Sequence, residues 1–544
     1  MKHYKKLIQF LFVFIPVLML SACNDWLNAP QPAKPLLSDF FLTGGGAAAI
    51  QTVNATYVPL QWEYGSTYSP EWWIGDVASD DALKGGQNPS DMAQAYEFDN
   101  FKVLDNNPIL KDWYQLNYQG IARCNFVLEE LPNVALDSTM TASVKTRLMG
   151  ETHFLRALYY FRLVRVFGDV PLVTFTIKSS KGWIQPKASV PDIYNQIFTD
   201  LEIANSNLWT VDKLPTTEIG RATKGAAQAM LMKSHLYYAQ WDNSHYAIAR
   251  AWGDSIIDSG KYQLEPKYAD NFSIFNENGI ESVFEVQYSE EASSDYGSFN
   301  PHFGGTRGTF TTIMTRSRSA KIPVSSTGGN LEGWGFNKPT QNLYDEFEPG
   351  DVRREASIID PAGNMTNEAS EIYFGCRFLS RKYALMDDGL TGLWSGHATR
   401  APINIKLIRY ADVLLMYAEA CNESGNSPKA KEVLNQLRTV RRIETADPAT
   451  QLPAFPYGAY SDNQSDLRLA IRHERRVELA MESHRWFDLV RWGIAAETMN
   501  AYKQTESDEV KAVMSDFVAG RNEYFPLPQY EMDLSDFDQN EGWK

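Results

Sequence analysis

Cysteine and histidine are both scarce in this 544-residue sequence, which contains four cysteines and eight histidines. Cys23 follows an export-type segment, and the other three, Cys124, Cys376 and Cys421, cannot all pair with one another. We therefore expect no disulfide framework to carry the fold. The histidines are scattered and no cysteines have zinc-site spacing, so we expect neither a metal nor another cofactor.

Motifs for catalysis are also missing. The residue four positions after His473 is a valine, so the start of a zincin-like helix at this point lacks its second metal ligand. The sequence contains no Walker motif and no Gly-x-Ser-x-Gly nucleophile elbow. Adjacent acids such as Asp80 and Asp81 would serve a glycosidase only if two carboxylates met across a sugar at ~5–10 Å, and such acids are common on solvated loops. No motif in the sequence therefore predicts catalysis, and a surface glycosidase stays an alternative.

Basic residues are outnumbered by acidic ones, 51 to 67, which gives a net charge of −16. Removal of the segment before Cys23 would take away three lysines and no acid, and the net charge would then be −19. An acidic chain of this size repels the phosphate backbone of nucleic acids. We therefore expect no nucleic-acid partner.

The N-terminus has the pattern of an export signal. Three lysines precede the apolar stretch Leu7–Leu20, whose ~14 residues suit a signal-peptide core and are too few to cross a bilayer of ~30 Å. The following Ser21-Ala22-Cys23 resembles the lipobox of bacterial lipoproteins. We expect residues 1–22 to be removed and Cys23 to be lipidated, which would anchor the chain to a membrane. The alternative is an ordinary secretory signal with an incidental cysteine.

Amphipathic helical segments recur in pairs along the chain. Apolar residues at spacings of three and four predict a helix over Leu110–Glu130, and a second helix over Ser143–Phe167 ends at Gly168. Further pairs are predicted at Val190–Asn205 with Thr223–Gln240, at Tyr410–Glu423 with Pro428–Arg442, and at Ser465–Met481 with Trp486–Met499. Helix-turn-helix units of about 34 residues are typical of decayed tetratricopeptide-like repeats, so the predicted fold is mainly α.

The helical period fades between about Ser282 and Arg400. Glycine, small polar residues and aromatic residues dominate this region, around one predicted strand, Ser282–Tyr288. Long irregular segments inside a compact body are uncommon unless they are functional. We therefore expect the ligand site here. Near the N-terminus, the proline-containing stretch Asn28–Pro35 predicts an extended tether.

The densest charged stretch is Arg472–Gly493. Apolar residues share a helix face with Glu474 and Glu478, which predicts that these acids lie at a helix–helix junction with partners such as Arg476 or Arg485. Opposite charges three positions apart can also pair along a helix, as in Arg475 with Glu478 and Asp488 with Arg491. We interpret the stretch as architectural rather than as a binding site.

The same stretch carries a family resemblance. Its residues Glu474–Gly493, ERRVELAMESHRWFDLVRWG, resemble the C-terminal signature of the SusD/RagB family. Other landmarks of that family are matched in the expected order by Phe167–Leu172, Arg409–Ala420, Phe525–Pro528 and Gln539–Trp543. Glu541 and Trp543 stand where the family often has proline and tyrosine, which leaves the resemblance intact.

The resemblance implies a helical body of four tetratricopeptide-like helix pairs with an irregular, loop-rich ligand face. It implies a non-catalytic outer-membrane lipoprotein, facing the cell exterior, that captures oligosaccharides and delivers them to a SusC-like TonB-dependent transporter. Peptides or another nutrient are the alternative ligands. The expected divisions are a signal peptide at 1–22, a lipidated tether at 23–36, an N-terminal helical region at 37–281, a ligand-binding region at 282–400 and a C-terminal helical region at 401–544.

Sugar binding requires aromatic faces for the C–H faces of a pyranose and polar groups for its hydroxyls. From the loop-rich middle, the candidate ligand-binding residues are Tyr296, Phe299, Arg307, Trp334 and Trp394. The stretch Glu71–Gly86 resembles the family's N-terminal region that approaches the ligand, and from it the candidates are Trp72, Asp81 and Lys84. Core packing is the alternative for each aromatic residue, above all for Trp72, Trp73 and Phe336. We expect Trp334 and Tyr296 to contribute most.

Overall fold

Helices provide most of the regular structure of the computed structural model, which describes residues 44–179, 182–290, 307–319, 323–324, 329–330, 332–362, 373–374, 376–386, 393–397, 400–445, 451–535 and 537–544. In chain order, the α-helices are α1 Gly45–Tyr57, α2 Ala93–Asp99, α3 Pro108–Glu130, α4 Ala142–Phe167, α5 Val190–Asn207, α6 Lys224–Tyr238, α7 His245–Asp258, α8 Thr311–Thr315, α9 Gln341–Glu346, α10 Val352–Ser357, α11 Tyr410–Glu423, α12 Ser427–Ile443, α13 Gln464–Glu478, α14 Arg485–Arg491, α15 Ala495–Thr505, α16 Asp508–Val513 and α17 Gln529–Asp533.

The strands of the described residues pair as two-stranded antiparallel ribbons. They are β1 Ala82–Gly85 with β7 Phe336–Pro339, β2 Val170–Pro171 with β3 Lys187–Ala188, β4 Ser282–Val286 with β10 Ile405–Arg409, β5 Pro323–Val324 with β6 Gly329–Asn330, and β8 Ile358–Ile359 with β9 Leu379–Ser380. None of the described helices combines the length with the apolar composition required to cross a bilayer.

The predicted helix pairs form a continuous packed series. Helices α3 to α7 each contact the next, α7 contacts α11, and α11 contacts both α12 and α13. The side chain of Asn107 accepts hydrogen bonds at the start of α3, and Gly168 ends α4 with a φ of 68°. At Gly120, a Cβ would lie 2.4 Å from the ring of Tyr159 on α4, so glycine permits this close contact of the two helices. The mainly α fold with tetratricopeptide-like pairs is confirmed.

Two helices in this series differ from the sequence prediction. Helix α7 was not predicted, because its buried stripe consists only of Ala249, Gly253 and Ile256. The predicted helix Trp486–Met499 is wrong as a single element. It is divided into α14 and α15, since Gly493 has a φ of 68°, in the left-handed region.

The loop-rich middle is inserted between two neighbouring strands. The predicted strand Ser282–Tyr288 is observed as β4, and its Val286 lies opposite Ile405 of β10. The chain from 287 to 404 therefore leaves and re-enters the body at one ribbon. Its described parts contain three short helices, α8 to α10, and several two-residue strands.

The charged C-terminal stretch forms buried ion pairs, although not with the predicted partners. Glu474 binds Arg353 and Arg438, at 2.5 and 2.6 Å, and Glu478 binds Arg353, Arg409 and Arg441. Arg476 and Arg485, the partners expected from the sequence, instead bind acids of the N-terminal half. Those acids are Asp80 and Asp81.

The predicted helical pairs in this stretch have mixed outcomes. Asp488 and Arg491 do pair, at 2.8 Å. Arg475 does not pair with Glu478; it binds Asp412 of α11 at 2.9 Å and Asp488 of α14 at 3.0 Å, so it joins three helices instead of bracing one. Elsewhere in the core, Cys124, Cys376 and Cys421 are free, buried thiols.

Candidate functional site

The N-terminal candidates Trp72 and Asp81 lie in the interior. Trp72 is 6% exposed, its ring is 4.0 Å from that of Trp73, and its Nε1 donates to Thr311 Oγ1 at 3.2 Å. Asp81 is 1% exposed and binds Arg476 at 2.8 Å. Both side chains are satisfied within the protein, so we do not retain them as direct ligand contacts.

Lys84 is also buried, beneath a set of aromatic rings. Its ammonium lies 5.3–5.8 Å from the ring centres of Tyr96, Phe336 and Tyr373, and it donates to the carbonyl oxygens of Asn88 and Asp91. Burial lowers the pKa of Lys84 to about 8. Lys84 thus holds the loop that follows β1.

Trp394 is buried within the loop-rich region. It is 3% exposed, packs with Tyr383, Leu385 and Ile403, and lies under the guanidinium of Arg316 at 4.7 Å. Arg316 donates to Leu385 O at 2.7 Å. Trp394 therefore supports the backbone that follows α8 rather than presenting a free face.

The remaining candidates from the middle region have different outcomes. Arg307 is exposed, and its carbonyl oxygen accepts a hydrogen bond from Ser289 N at 2.7 Å. Tyr296 and Phe299 lie outside the described residues, so their ligand-binding roles stay predictions. Trp334 is half-buried and packs against the main core.

Trp334 belongs to a cluster of three half-buried aromatic residues, Tyr64, Tyr68 and Trp334, which we call the aromatic cluster. The ring centre of Tyr68 lies 4.9 Å from that of Tyr64 and 5.1 Å from that of Trp334, the latter pair meeting edge to face. Phe310 backs the cluster from the core, 5.2 Å from Tyr68. Offset and edge-to-face rings stabilise one another, so their positions are set before any ligand arrives.

The backbone on both sides of Trp334 is pinned. Its N–H donates to Ile313 O at 2.8 Å, and its carbonyl oxygen accepts from Arg318 Nε at 2.8 Å. Gly335, with a φ of 72°, accepts from Gly86 N at 2.7 Å. A ring held in this way loses little further conformational freedom on binding, which favours affinity.

The loop of residues 63–69, which carries Tyr64 and Tyr68 and which we call the tyrosine loop, is also held by hydrogen bonds. Asp112 at the start of α3 accepts from Ser66 Oγ at 2.8 Å and from Thr67 N at 2.9 Å. Glu63 accepts from Thr309 Oγ1 at 2.8 Å and from Phe310 N at 2.6 Å, which joins this loop to the segment before α8. Burial raises the pKa of Glu63.

Polar groups border the aromatic cluster. Exposed Arg318 binds Asp91 at 2.7 Å, and half-buried Gln94 donates to Thr67 Oγ1 at 2.8 Å. Sequence reasoning missed these residues together with Tyr64 and Tyr68. The criterion that selected Trp334, an aromatic residue beside glycine in a polar loop, applies equally to Tyr64-Gly65 and could have found Tyr64. Aromatic faces beside amide and charged groups suit a ligand rich in hydroxyls.

In the part of the chain that the structure describes, no three His, Cys, Asp or Glu residues converge in an arrangement that could hold a metal ion.

Asp76, in the stretch Glu71–Gly86, is predicted to make the stability of the folded protein depend on pH. Its carboxylate accepts from Ser483 N at 2.8 Å and from Asn337 Nδ2 at 3.2 Å, and burial raises its pKa to about 7. The folded state thus favours the neutral acid. The stability that this preference contributes is complete below about pH 4 and is lost as the pH rises through about 7.

We therefore expect Asp76→Asn, which mimics the neutral acid, to raise the free energy of unfolding at pH 8 by roughly 2–4 kcal/mol and to change it little at pH 4. Urea unfolding at the two pH values measures this difference. The exposed Asp258→Asn is the control and should behave like the wild type at both. Equal stability of Asp76→Asn and wild type at pH 8 would contradict the assignment.

Two family models match this chain in separate parts. One, described as "SusD family", matches residues 378–543, and the other, described as "Starch-binding associating with outer membrane", matches residues 52–236. A relative from Formosa agariphila, "SusD-like protein P2", is 26% identical over 550 residues, which cover 98% of this chain and 97% of that protein.

Solved structures are also similar to this chain over most of its length. A "Laminarin binding SusD-like protein" is 29% identical, with a TM-score of 0.74 over 92% of this chain and 99% of that one. The "Surface glycan-binding protein A from Bacteroides fluxus" is 26% identical, with a TM-score of 0.76 over 91% of this chain and 99% of that one.

Proposed function

We propose that this chain, which belongs to the SusD/RagB-like family, binds a neutral glycan on the aromatic cluster. The observation that carries the proposal is the half-exposed set of Tyr64, Tyr68 and Trp334, held in place by backbone hydrogen bonds and bordered by Gln94, Asp91 and Arg318. Two printed descriptions support the ligand class, since one similar structure is named for laminarin and one matching family model for starch. Both are neutral glucans.

The proposal includes capture without cleavage. We expect the protein to bind oligosaccharides and to leave them intact. Incubation of purified protein with laminarin and starch should therefore release no new reducing ends. Release of reducing ends would favour the alternative of a surface glycosidase.

We propose further that the protein acts at the outer membrane, lipid-anchored and facing the cell exterior, and delivers its ligand to a SusC-like TonB-dependent transporter. The description of the N-terminal family model, which includes association with the outer membrane, supports this placement. Reciprocal affinity purification of the full chain and of the transporter from membranes would test the partnership.

The direct test of the ligand class is a glycan array probed with the soluble form that lacks residues 1–23, followed by calorimetric titration of laminarin and starch. We expect retention of neutral glucans with an affinity that changes little with salt, because no long-range charge attraction is screened. Binding of a peptide mixture in place of every glycan would replace the proposal with the peptide alternative.

The lipid anchor gives a separate prediction at Cys23, which lies outside the described residues. We expect Cys23→Ala to leave the body folded but to move the protein from the membrane fraction to the soluble fraction, because the lipidated side chain is lost. Palmitate labelling measures the loss of the lipid, and fractionation measures the move to the soluble fraction. Cys421→Ala is a matched control that should keep the label, and labelling of the Cys23→Ala variant would exclude Cys23 as the anchor.

A further inference from the structure

A second concave surface lies on a different part of the molecule from the aromatic cluster. It has a volume of about 760 Å³ and is lined by one side of α3, by residues 171–177 and 183–185, and by α17 with the residues after it. We call it the α3 groove. Its volume falls within the ~300–1,000 Å³ that is usual for ligand sites. It shares no lining residue with the aromatic cluster.

Large apolar side chains converge on the α3 groove and remain exposed. Trp183 is 73% exposed, Tyr530 53%, Phe175 45% and Ile177 38%. A soluble protein seldom leaves several large apolar side chains together in water unless the surface binds something. The two aromatic residues with the greatest exposure, Trp183 and Tyr530, lie on separate elements of its wall.

The walls of the α3 groove are held by hydrogen bonds. Gln115 Nε2 donates to Glu531 Oε1 at 2.8 Å and thereby joins α3 to α17. On the other side, Tyr118 donates to Pro171 O at 2.6 Å, and Asn125 Nδ2 donates to Val173 O at 2.9 Å. The aromatic residues are thus mounted on a fixed frame, which reduces the ordering cost of binding.

Amide groups and balanced charge define the chemistry of the α3 groove. Gln115 and Gln119 on α3, one helical turn apart, and Gln185 on the facing segment offer both donors and acceptors. Among its described lining residues, the charged ones are Lys111 and Glu531, one of each sign, and the Lys111 ammonium lies 5.1 Å from the ring centre of Tyr530. Exposed rings, amides and no net charge match a neutral ligand with apolar C–H faces and many hydroxyls.

We propose that the α3 groove is a second binding surface for a neutral glycan. This inference rests on the proposed function for the ligand class but not for the location. Both surfaces involve the first two turns of α3, where Asp112 holds the loop of Tyr64 and Tyr68 and neighbouring Lys111 lines the groove. A glycan chain that occupies both surfaces gains avidity without any new contact.

The test compares five proteins by affinity electrophoresis in gels that contain laminarin or starch: the wild type, Trp334→Ala, the double variant Trp183→Ala/Tyr530→Ala, the triple variant that adds Trp334→Ala to it, and Trp241→Ala. Trp241 is 47% exposed on the turn after α6, packs with Tyr194 and Tyr238 and is part of neither surface, so its variant is the matched control. We expect the double variant to weaken retention at least fivefold while melting like the wild type, since both side chains are more than half exposed. Combination with Trp334→Ala should abolish retention.

Hydrogen exchange gives a second measurement of the same claim. Laminarin should slow exchange at residues 183–185 and 529–533 in the wild type and in Trp334→Ala, but not in the double variant. If the double variant binds both polysaccharides like the wild type and these segments show no protection, the groove is not a glycan surface, although the proposed function stands. If the wild type is retained by neither polysaccharide, both proposals are overturned. Unchanged glycan retention together with loss of a co-purifying protein would mark the α3 groove as a protein interface instead.

Discussion

Glu478→Ala is expected to lower the free energy of unfolding by about 3–5 kcal/mol, because it leaves buried guanidinium groups without their counter-charge. Glu478 is fully buried, and its carboxylate binds Arg409 at 2.6 Å, Arg441 at 2.8 Å and Arg353 at 2.9 Å. These pairs hold the pKa of Glu478 well below its usual range. Removal of one carboxylate therefore disturbs contacts among α10, α12, α13 and the end of β10 at once.

Denaturant unfolding followed by circular dichroism measures this loss. Glu432→Ala is the control, because Glu432 is two-thirds exposed and pairs with Lys429 on the surface, where such pairs contribute at most ~1 kcal/mol. Glu478→Gln keeps the shape and should fall between the two. A Glu478→Ala variant that unfolds like the wild type yet no longer binds glycan would show that this stretch is a ligand site, contrary to its architectural interpretation.

The helical body could be predicted from the sequence because its signals are local. Helix α11 has the predicted bounds, Tyr410–Glu423, and α3 and α4 begin within two residues of their predicted starts. The errors arise where local signals are weak or ambiguous. Helix α7 buries only a narrow stripe of small residues, and a glycine in the left-handed region divides α14 from α15 without interrupting the apolar pattern.

Apart from the local pair Asp488–Arg491, the ion-pair partners of the charged stretch could not be predicted, because they come from distant parts of the chain. Glu478 binds Arg353, 125 residues earlier, and Arg476 binds Asp81, 395 residues earlier. The close sequence pair Arg475 and Glu478 is not formed, since Arg475 points to Asp412 on another helix. The sequence revealed the density of charge, whereas the pairing depends on how the helices pack.

The same limit applies to the candidate site. Residue type alone cannot distinguish Trp72, Trp334 and Trp394, yet of these three only Trp334 keeps part of its ring accessible. Which of these side chains is exposed depends on which loop lies outermost. The position of each loop depends in turn on the ribbons β1–β7 and β4–β10, which pair distant segments of the chain. Composition could therefore indicate aromatic ligand contacts, while tertiary structure decided which aromatic residues were available.

Trp334→Ala is expected to weaken glycan binding about thirty-fold, and loss of its half-buried ring should also lower the melting temperature while the variant stays folded at the temperature of the titration. Stacking of a pyranose on one indole face removes roughly 80 Å² of apolar surface from water, which at ~25 cal/mol per Å² is about 2 kcal/mol. A sugar hydroxyl gains only ~0.5–1.5 kcal/mol when it exchanges water for a protein partner. The aromatic face should therefore dominate the affinity, with Tyr68 and the predicted contact Tyr296 as further contributors.

Calorimetric titration of Trp334→Ala, Tyr68→Phe and Trp241→Ala against laminarin at low and high salt tests this expectation. Tyr68→Phe retains the ring that packs on Trp334 at 5.1 Å and should bind nearly as well as the wild type, which separates ring packing from hydroxyl contacts. Trp241→Ala removes a half-exposed indole elsewhere and should bind normally. Unchanged affinity in Trp334→Ala would remove the aromatic cluster from the site. A steep loss of wild-type affinity with salt would indicate a charged ligand held by groups such as Arg318 or Arg307, because only charge attraction is screened by ions.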